Sequence, residues 1–443
     1  MKVEKLPKDN GIAGWNAILP KRNPTLKLGA NRTADWLVIG AGFAGLSAAR
    51  RLSQLRPTDR VIILEAGAVA EGPAGRNSGF MIDLPHDLTS DDYGGAVEAD
   101  KAQIEDNRRG IQFAREIADE YELSKEAFDP CGKFNAAATE KGTKHNLDFA
   151  GHLDALNESY EVLDAKDLHQ LTGTTYYNHG IYCPGTVVIQ PAQYIRGLAA
   201  GVQSENVVLH EHSPVIALNK TKNWTAETPA GRVEAPNVIL AVNGHLNSFG
   251  FLKRRIMHVF TYASMTMPLS ETDLKELGGK SSWGITPADP LGSSVRRISG
   301  VGGDRIVVRN RFTFNPSMEE SKWALRKIYA DHDWSFRCRF PMLESIRMQY
   351  RWGGRLAVTR ENVQAIGKLE EGLYSACIQN GLGTAKGTLA GVLAAELACG
   401  IASPALDRAL AAPKPRRLPP GPLAKFGANA HIRFGEWRAG REL

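Results

Sequence analysis

The chain has 443 residues, of which 43% are hydrophobic, and a formal net charge of +6. This length is sufficient for more than one domain with a large core. No apolar run approaches the roughly 18 residues that a membrane-spanning helix needs, so no such helix is predicted. The first residues also lack the apolar core of a secretion signal.

The charge is distributed unevenly along the chain. Residues 1–34 and residues 412–443 each contain seven basic and two acidic side chains, which leaves residues 35–411 with a net charge of −4. An acidic body argues against binding of nucleic acid. Hydrophobic residues in both basic ends predict that these ends pack onto the body. They are Trp15, Ile18 and Leu19 near the start and Phe426, Ile432, Phe434 and Trp437 near the end.

The five cysteines are scattered and form no C-x-x-C pair, which indicates neither a disulfide framework nor a zinc site. We therefore expect a cytoplasmic protein with reduced cysteines. His210 and His212 would share one face of a strand, but no third ligand accompanies them, so no metal site is predicted.

Residues 35–65 have the pattern of a strand, a glycine-rich turn, a helix and a second strand. The apolar run 36–39 enters Gly40-Ala41-Gly42-Phe43-Ala44-Gly45, and a second apolar run at 61–64 ends at Glu65. Short apolar runs of this kind are typical of strands buried in a parallel sheet.

Each part of this unit has a physical purpose. Gly40 allows a tight turn, Gly42 lets the backbone approach a pyrophosphate, and Gly45 lets the helix pack on the strand. The helix amino terminus offers N–H groups to phosphates. Glu65 can accept hydrogen bonds from a ribose. The unit therefore predicts dinucleotide binding.

Three glycines and a proline predict that residues 71–80 form a loop that permits close approach, with Arg76, Asn77 and Ser78 as side-chain donors. Beyond it, periodicity predicts helices over 97–122, 143–157, 190–201, 317–334 and 385–399. Strands are predicted over 176–188, 207–210, 214–218, 232–242, 258–268, 295–298, 304–314, 356–359 and 372–378, and the alternation in 251–314 predicts an antiparallel sheet.

Four features, in this order, resemble the flavoprotein family of D-amino acid, glycine, sarcosine and γ-glutamylputrescine oxidases. They are the unit 40–65, the loop Gly75-Arg76-Asn77-Ser78-Gly79, the strand end Ile239–Gly244, and the segment from Trp352-Gly353 to the second glycine turn, Gly381-Leu382-Gly383. Gly14-Trp15-Asn16 is also similar to the aromatic arm of γ-glutamylputrescine oxidase relatives.

The resemblance implies an α/β protein in which a Rossmann-type FAD-binding domain is interleaved with an α+β substrate domain built on a mainly antiparallel sheet. The implied FAD-binding domain comprises 31–95, 185–247 and 345–402, because the second glycine turn must reach the same flavin as Gly40. The substrate domain would comprise 96–184 and 248–344. Residues 1–30 would form an N-terminal arm and residues 403–443 a basic C-terminal arm.

The resemblance also implies a bound FAD. The implied contacts are Gly40, Gly42, Phe43, Ala44, Gly45, Glu65, Ala66, Arg76, Asn77, Ser78, Gly79, Val215, Asn243, Gly244, Gly381, Gly383 and Thr384. Val215 would lie beside adenine. The helix after Thr384 would direct its amino terminus at the pyrimidine ring, where a helix dipole stabilises the negative charge of reduced flavin.

Some relatives attach flavin through a histidine at the position of Arg76-Asn77, so the resemblance implies non-covalent FAD here. His86 lies a few residues further on, so covalent attachment of flavin through this histidine is left as an alternative. Some sarcosine-type members carry a lysine near the flavin that assists reaction with oxygen. Residues 304–314 contain Arg305, Arg309 and Arg311 instead, which leaves the choice between oxidase and dehydrogenase open.

The implied reaction is oxidation of the C–N bond of an amine or amino acid by hydride transfer to flavin, giving an imine that water hydrolyses. This chemistry needs no acid–base dyad, so no catalytic residue is assigned. Oxygen would be the acceptor in an oxidase. A flavin dehydrogenase that passes electrons to a membrane or protein acceptor, docked through the basic arms, is one alternative. A tRNA-base-modifying oxidoreductase of the same fold is another, and the acidic body argues against it.

The predicted substrate is a secondary amine or amino acid with a carboxylate, because an arginine fork can orient such a group by paired hydrogen bonds. Arg297 best matches the family position, and Arg347 and Arg351 are alternatives. Tyr262 and His258 lie on a strand predicted to face the substrate. The oligomeric state is left open.

Overall fold

The computed structural model describes residues 1–85, 94–320 and 322–443, with residues 322–324 described by their backbone alone. The strands are β1 (Arg32–Thr33), β2 (Trp36–Ile39), β3 (Val61–Leu64), β4 (Phe80–Met81), β5 (Lys133–Ala137), β6 (Glu161–Asp164), β7 (His179–Cys183), β8 (Val187–Val188), β9 (Val207–His210), β10 (Ala217–Lys220), β11 (Trp224–Thr228), β12 (Gly231–Ala235), β13 (Asn237–Leu240), β14 (Met257–Thr266), β15 (Trp283–Pro287), β16 (Ser294–Ile298), β17 (Arg305–Phe314), β18 (Met348–Val358), β19 (Ala365–Glu370) and β20 (Leu373–Cys377). The helices are α1 (Gly14–Ala17), α2 (Phe43–Leu55), α3 (Val97–Glu120), α4 (Glu140–Leu156), α5 (Ala165–Thr172), α6 (Pro191–Gly201), α7 (Glu271–Leu277), α8 (Lys322–Arg339), α9 (Ala385–Ala398), α10 (Pro404–Ala411) and α11 (Gly421–Ala439).

A six-stranded sheet with the order β19-β20-β13-β2-β3-β9 forms the centre of one half of the molecule, and all its strands except β19 pair in parallel. Alternate residues of β2 and β3 point to opposite faces. Val38 and Ile63 belong to the core under the helices, while Leu37 and Ile62 belong to a second core. Burial on both faces explains why these strands are continuous apolar runs.

Helices cover one face of this sheet and a small sheet, β1-β12-β11-β10, covers the other. Glycines permit the close helix contacts. A Cβ on Gly391 of α9 would lie 2.0 Å from the Ala44 carbonyl oxygen of α2, and one on Gly110 of α3 would lie 2.6 Å from that of Ala385. Helices α2, α3 and α9 can therefore pack backbone to backbone.

The second half is an eight-stranded sheet with the order β18-β14-β17-β16-β15-β5-β7-β6, in which only the pair β15–β5, among the described strands, is parallel. One face packs against the first half and includes Met265 and Val307. The other face includes Ile306 and Val308 and packs against α8 through Phe336. The predicted α/β class with a mainly antiparallel second sheet is confirmed.

The pairing of β18 affects the assignment of segment 345–402, which was predicted to belong wholly to the FAD-binding domain. This strand pairs with β14 in the eight-stranded sheet, whereas β19 and β20 belong to the six-stranded sheet. The segment is therefore divided between the two sheets. We place 345–358 with the substrate half and propose the remaining domain boundaries as predicted.

The predicted strand 232–242 is two strands in different sheets, because Pro236 lies between β12 and β13 and has no N–H for a ladder. Predicted helix 317–334 begins later, as α8. Helix α11 lies in the predicted C-terminal arm and was not expected, since Gly421, Gly427 and Gly435 lower its helix propensity. Among the described residues, no helix has the length and apolarity to cross a membrane.

The two predicted arms differ in how they pack. Trp15 and Leu19 of the N-terminal arm are buried in the main core, as predicted. In the C-terminal arm, α10 packs on α9 through Leu406, but Phe426 and Trp437 of α11 are 80% and 75% exposed. Packing of these aromatic residues onto the body is thus contradicted.

His332 of α8 provides a test of the packing between α8 and the eight-stranded sheet. Its Nδ1 lies 2.7 Å from Ser264 Oγ, and burial lowers its pKa to about 3, from 6.5. Between these pH values the unfolded chain binds a proton that the folded chain does not, so stability is lost as the pH falls. At pH 4.5 the loss is about 2–3 kcal/mol. In His332→Asn, the side-chain amide can replace Nδ1 as the partner of Ser264. We expect the unfolding free energy of this variant, measured in urea, to fall less than that of wild type between pH 7 and 4.5.

The matched control is the exposed His431→Gln. It should retain the wild-type dependence of unfolding free energy on pH. Equal slopes for His332→Asn and wild type would contradict a neutral buried His332.

Candidate functional site

A cavity of about 590 Å³ lies at the carboxyl ends of β2, β3 and β13. It is the position at which open parallel sheets bind ligands. Predicted FAD residues that line it are Gly40, Gly42, Phe43, Ala44, Glu65, Ala66, Arg76, Asn77, Val215, Asn243, Gly244, Gly381 and Gly383. Gly45, Ser78, Gly79 and Thr384 lie behind this lining. The structure thus gathers most of the predicted residues around one space.

The glycines of the first turn have two different roles. Gly40 has a φ of +105°, and a Cβ there would lie 2.6 Å from the Ala241 carbonyl oxygen. A Cβ on Gly45 would lie 1.8 Å from the Gly40 carbonyl oxygen. These two glycines are required by the protein itself.

Gly42 and Gly383 are different, because the protein leaves room beside them. A Cβ on Gly42 would meet only Ala74 Cβ, at 3.5 Å, and Gly42 has φ −93° and ψ −167°, which other residues adopt readily. A Cβ on Gly383 would meet nothing within 4 Å. Both residues line the cavity, so their missing side chains enlarge the space available to a ligand.

Glu65 extends from the end of β3 to the cavity wall. Its carboxylate accepts hydrogen bonds from the amides of Ala41, at 2.8 Å, and Gly67, at 3.1 Å. Burial raises the pKa of Glu65, and these amide bonds oppose the rise. The carboxylate is therefore held in one orientation beside the glycine turn, where it can accept from a sugar hydroxyl.

Two helices begin at the cavity. Helix α2 begins at Phe43 and α9 at Ala385, directly after the two glycine turns. Thr384 itself does not line the cavity, since its Oγ1 donates to the Phe80 carbonyl at 2.6 Å. The helix amino termini supply unpaired N–H groups and a positive dipole end to an anionic ligand.

The side chains of Arg76 and Asn77 form their hydrogen bonds mainly with backbone groups of the protein. The Arg76 guanidinium donates to the carbonyls of Glu71, Asn10, Gly11 and Gly353. Asn77 Nδ2 donates to the Ala74 carbonyl and its Oδ1 accepts from Gly79 N. These side chains hold the loop against the cavity, so the loop's role toward a ligand falls mainly to its backbone.

The N-terminal arm also forms part of the cavity wall, which the sequence did not predict. Val3 N donates to the Ile216 carbonyl at 2.9 Å, near Val215, and Trp15 Nε1 donates to the Asn77 carbonyl at 2.9 Å. Arm residues from Val3 to Asn16 line the cavity, namely Val3, Lys5, Leu6, Pro7, Lys8, Asp9, Gly11, Ile12, Ala13 and Asn16. The arm therefore follows the cavity along its length.

Arg296, rather than Arg297, points toward the cavity side of the eight-stranded sheet. It is 6% exposed, and its Nη1 lies 2.6 Å from the Ile189 carbonyl oxygen and 3.2 Å from that of Ser78. Its guanidinium lies 5.0 Å from the centre of the Trp15 ring. Burial lowers the pKa of Arg296 to about 10.

Arg296 lines a small pocket of about 10 Å³ on the far side of the Asn77–Ser78 loop, together with Trp15, Asn77, Ser78, Phe80, Ala263, Ser294, Val307 and Arg309. Its Nε has no hydrogen-bond partner among the described residues. A Cβ on Gly79 would lie 2.0 Å from Arg296 Nη1, which explains a glycine there.

Arg297 lies on the opposite face of β16. Its Nη1 donates to the Gly278 carbonyl, and its neighbour Val295 packs in the core under α8. Successive residues of a strand point to opposite faces, so a one-residue difference in register exchanges the two arginines. This corrects the predicted orientation of Arg297.

The remaining substrate candidates also lie away from the cavity. Tyr262 Oη bonds Thr313 Oγ1 at 2.5 Å and packs with Ile328 of α8. Arg351 pairs with Asp333, at 2.6 Å, and Arg347 is exposed. His258 lies behind Gly244, with Nε2 3.2 Å from Asn247 Nδ2, and burial lowers its pKa to about 4. His86 lies outside the described residues.

Residues 35–397 match the family described as DAO, FAD dependent oxidoreductase. The chain belongs to the DAO family of FAD-dependent oxidoreductases. It is 27% identical to a probable oxidoreductase OrdL of Haemophilus influenzae, over 83% of each chain. It is 25% identical to gamma-glutamylputrescine oxidoreductase of Escherichia coli, over 85% of this chain and 86% of that protein.

Two solved enzymes share this fold. Glycine oxidase from Geobacillus kaustophilus superposes with a TM-score of 0.68 and 16% identity, over 84% of this chain and 96% of that one. L-proline dehydrogenase from P. horikoshii gives a TM-score of 0.67 and 16% identity, over 86% and 97%. The family match, over residues 35–397, makes the chain an oxidoreductase with FAD as its cofactor.

The described residues fit this cofactor. The N-terminal arm lines the cavity along its length, and two helix amino termini face it. Each of the two glycine turns contributes one glycine, Gly42 or Gly383, whose missing Cβ leaves room for a ligand. Sequence reasoning predicted the arm but missed its place in the cavity wall. It also missed Arg296 and the buried Arg355, whose Nη1 lies 3.2 Å from the Met318 carbonyl oxygen. Strand alternation was the available signal for Arg296, whereas no local pattern marks the arm as a wall.

Proposed function

We propose that the enzyme oxidises the C–N bond of a small amine or amino acid that carries a carboxylate. The observation that carries the proposal is Arg296, a buried arginine on the cavity side of the eight-stranded sheet, separated from the cavity by the Asn77–Ser78 loop. A buried guanidinium favours an anionic partner, since an unpaired buried charge is unfavourable. The family and the gamma-glutamylputrescine relative support an amine as the oxidised group.

We place the pyrophosphate of FAD at Gly42 and the amino terminus of α2, and the adenosine ribose at Glu65. The isoalloxazine ring would then lie near Asn77, with the amino terminus of α9 directed at it. When bound, FAD accepts a hydride from the carbon next to the substrate nitrogen. The loop without a histidine at 76–77 supports a non-covalent cofactor, and no cysteine among the described residues lines the cavity.

Arg296 would hold the substrate carboxylate so that the amine end lies toward the ring. The pocket of about 10 Å³ is too small for a substrate beside Trp15, so we expect Trp15 to move when substrate binds. Arg309 lines the same pocket and would add positive charge next to Ser294. The chain's part in the reaction is thus to orient one end of the substrate by charge.

An anaerobic bleaching screen tests this function. The FAD-loaded enzyme is mixed with D- and L-amino acids, N-methylated amino acids, polyamines and γ-glutamyl amines, and absorbance near 450 nm is followed. We expect bleaching by a carboxylate-bearing amine and a much weaker response to its decarboxylated analogue. Reduction by simple polyamines alone would contradict the carboxylate requirement.

The electron acceptor is tested separately. Hydrogen peroxide formation would identify an oxidase that uses oxygen, and dye reduction without peroxide would identify a dehydrogenase. We propose a cytoplasmic location, which the five free cysteines support.

A further inference from the structure

Helix α11 differs from an ordinary surface helix in which side chains it turns toward the protein. Its small side chains face the protein, among them Ala424, Ala428 and Ala439, and a Cβ on Gly435 would lie 2.2 Å from Leu291 Cδ1. Four of its five large apolar side chains face outward, and the fifth, Ile432, is half-buried. Leu423 is 67% exposed, Phe426 80%, Phe434 56% and Trp437 75%.

The outward residues form one continuous stripe. Leu423, Phe426, Ala430, Phe434 and Trp437 follow one another at separations of three and four residues, which places them on one side of a helix. The rings of Phe434 and Trp437 lie with centroids 5.9 Å apart. We call these five residues the aromatic face.

The exposed charged side chains of the C-terminal segment 412–443 have one sign. All seven basic residues of 412–443 are exposed, namely Lys414, Arg416, Arg417, Lys425, Arg433, Arg438 and Arg441. The two acidic residues are buried, with Glu436 1% and Glu442 2% exposed. Glu436 is shared by Arg311 and Arg433, and Glu442 accepts from Thr139. The surface that α11 presents is therefore apolar at its centre and mainly cationic at its edges.

The cationic surface continues beyond α11. Just before the helix, Leu418 N donates to the Arg254 carbonyl at 2.7 Å, and Arg254 Nη2 donates to the Leu418 carbonyl at 3.2 Å. Arg254 is exposed there, and so is Lys253, which pairs with Glu4 at 2.6 Å. Residues 398–443 lie outside the family match, and glycine oxidase is covered over 96% of its length by 84% of this chain. Helix α11 therefore lies beyond the segment that matches the family.

We propose that α11 docks the enzyme on the surface of an anionic lipid bilayer. The helix would lie parallel to the surface with the aromatic face in the headgroup boundary and the basic residues beside lipid phosphates. Tryptophan and arginine at the edge of an apolar stripe suit this boundary. A second copy of the chain fits less well, because two such surfaces would bring like charges together. This inference does not depend on which amine is oxidised.

Vesicle flotation with the FAD-loaded full chain tests the proposal. Vesicles are made of phosphatidylcholine alone or with phosphatidylglycerol at about 40 mol%, in salt of about 50 mM and about 500 mM. We expect binding to the anionic vesicles, weakened in high salt, and little binding to phosphatidylcholine alone. Phe426→Glu combined with Trp437→Glu should reduce binding at least tenfold.

Leu26→Glu is the matched control, because Leu26 is 86% exposed and lies in the other basic arm. It should bind like wild type. Flavin absorbance and melting temperature confirm that each variant is folded. We expect the double variant to fold, because the side chains of Phe426 and Trp437 are exposed. Trp437→Phe should retain binding but lose the blue shift of fluorescence that lipid causes.

Three results would overturn the proposal. The wild type fails to float with anionic vesicles at low salt. The double variant binds as wild type does, which assigns binding to another surface. The wild type does not bind vesicles and elutes as a dimer in size-exclusion chromatography, whereas the double variant elutes as a monomer. This result would make the aromatic face an interface between copies of the chain.

Discussion

Replacing Gly42 with valine is expected to abolish FAD loading while the protein still folds. The backbone at Gly42 has φ −93°, and a Cβ would make an ordinary contact with Ala74 at 3.5 Å. The folded chain therefore tolerates a side chain there. A pyrophosphate at the amino terminus of α2 does not, because the branched side chain occupies the space that the phosphates need. We expect at least a hundredfold lower FAD content than wild type, measured by absorbance near 450 nm after purification and by FAD released in acid.

Gly45→Ala is the contrasting variant, three residues away in the same turn. Its Cβ would lie 1.8 Å from the Gly40 carbonyl oxygen, so the strand, turn and helix cannot keep their packing. We expect this variant to lose thermal stability as well as FAD. Normal FAD content in a folded Gly42→Val protein would contradict the assignment of the pyrophosphate to this turn.

Arg296→Lys is expected to raise KM for a carboxylate-bearing substrate by about 10–100-fold, while FAD content stays at the wild-type level. Lysine keeps the charge and can still donate to the Ser78 or Ile189 carbonyl, so the fold is largely retained. It lacks the planar fork that fixes a carboxylate by two parallel hydrogen bonds. Stopped-flow reduction of the flavin, with substrate concentration varied, measures the effect independently of the electron acceptor.

Arg297→Ala provides a neighbouring control on the opposite face of β16. Arg297 donates to the Gly278 carbonyl and does not line the pocket, so KM should remain within about twofold of wild type. A second comparison uses an amine without a carboxylate, whose KM should not respond to Arg296→Lys. If KM rises in Arg297→Ala and not in Arg296→Lys, the original position predicted from the sequence is the correct one.

The sequence by itself determined the FAD half of the enzyme. Gly40, Gly45 and the apolar strands around them carry information that is local, since a tight turn and a doubly buried parallel strand each leave a pattern within a few residues. For the same reason α2, α6 and α9 begin within a few residues of their predicted positions. Pro191 is the first residue of α6, and Thr384 directly precedes α9.

The tertiary structure decided what depends on contacts between distant segments. Whether Arg296 or Arg297 lies on the cavity side of the eight-stranded sheet depends on the register of β16 against β15 and β17. The alternation of side chains along a strand fits either arrangement equally well. The path of residues 3–16 along the cavity depends on single hydrogen bonds to residues far away in the chain, such as Val3 with Ile216. The outward aromatic face of α11 has the same origin, because the close approach of Gly435 to Leu291 selects the small side of that helix for the protein and leaves the large side exposed.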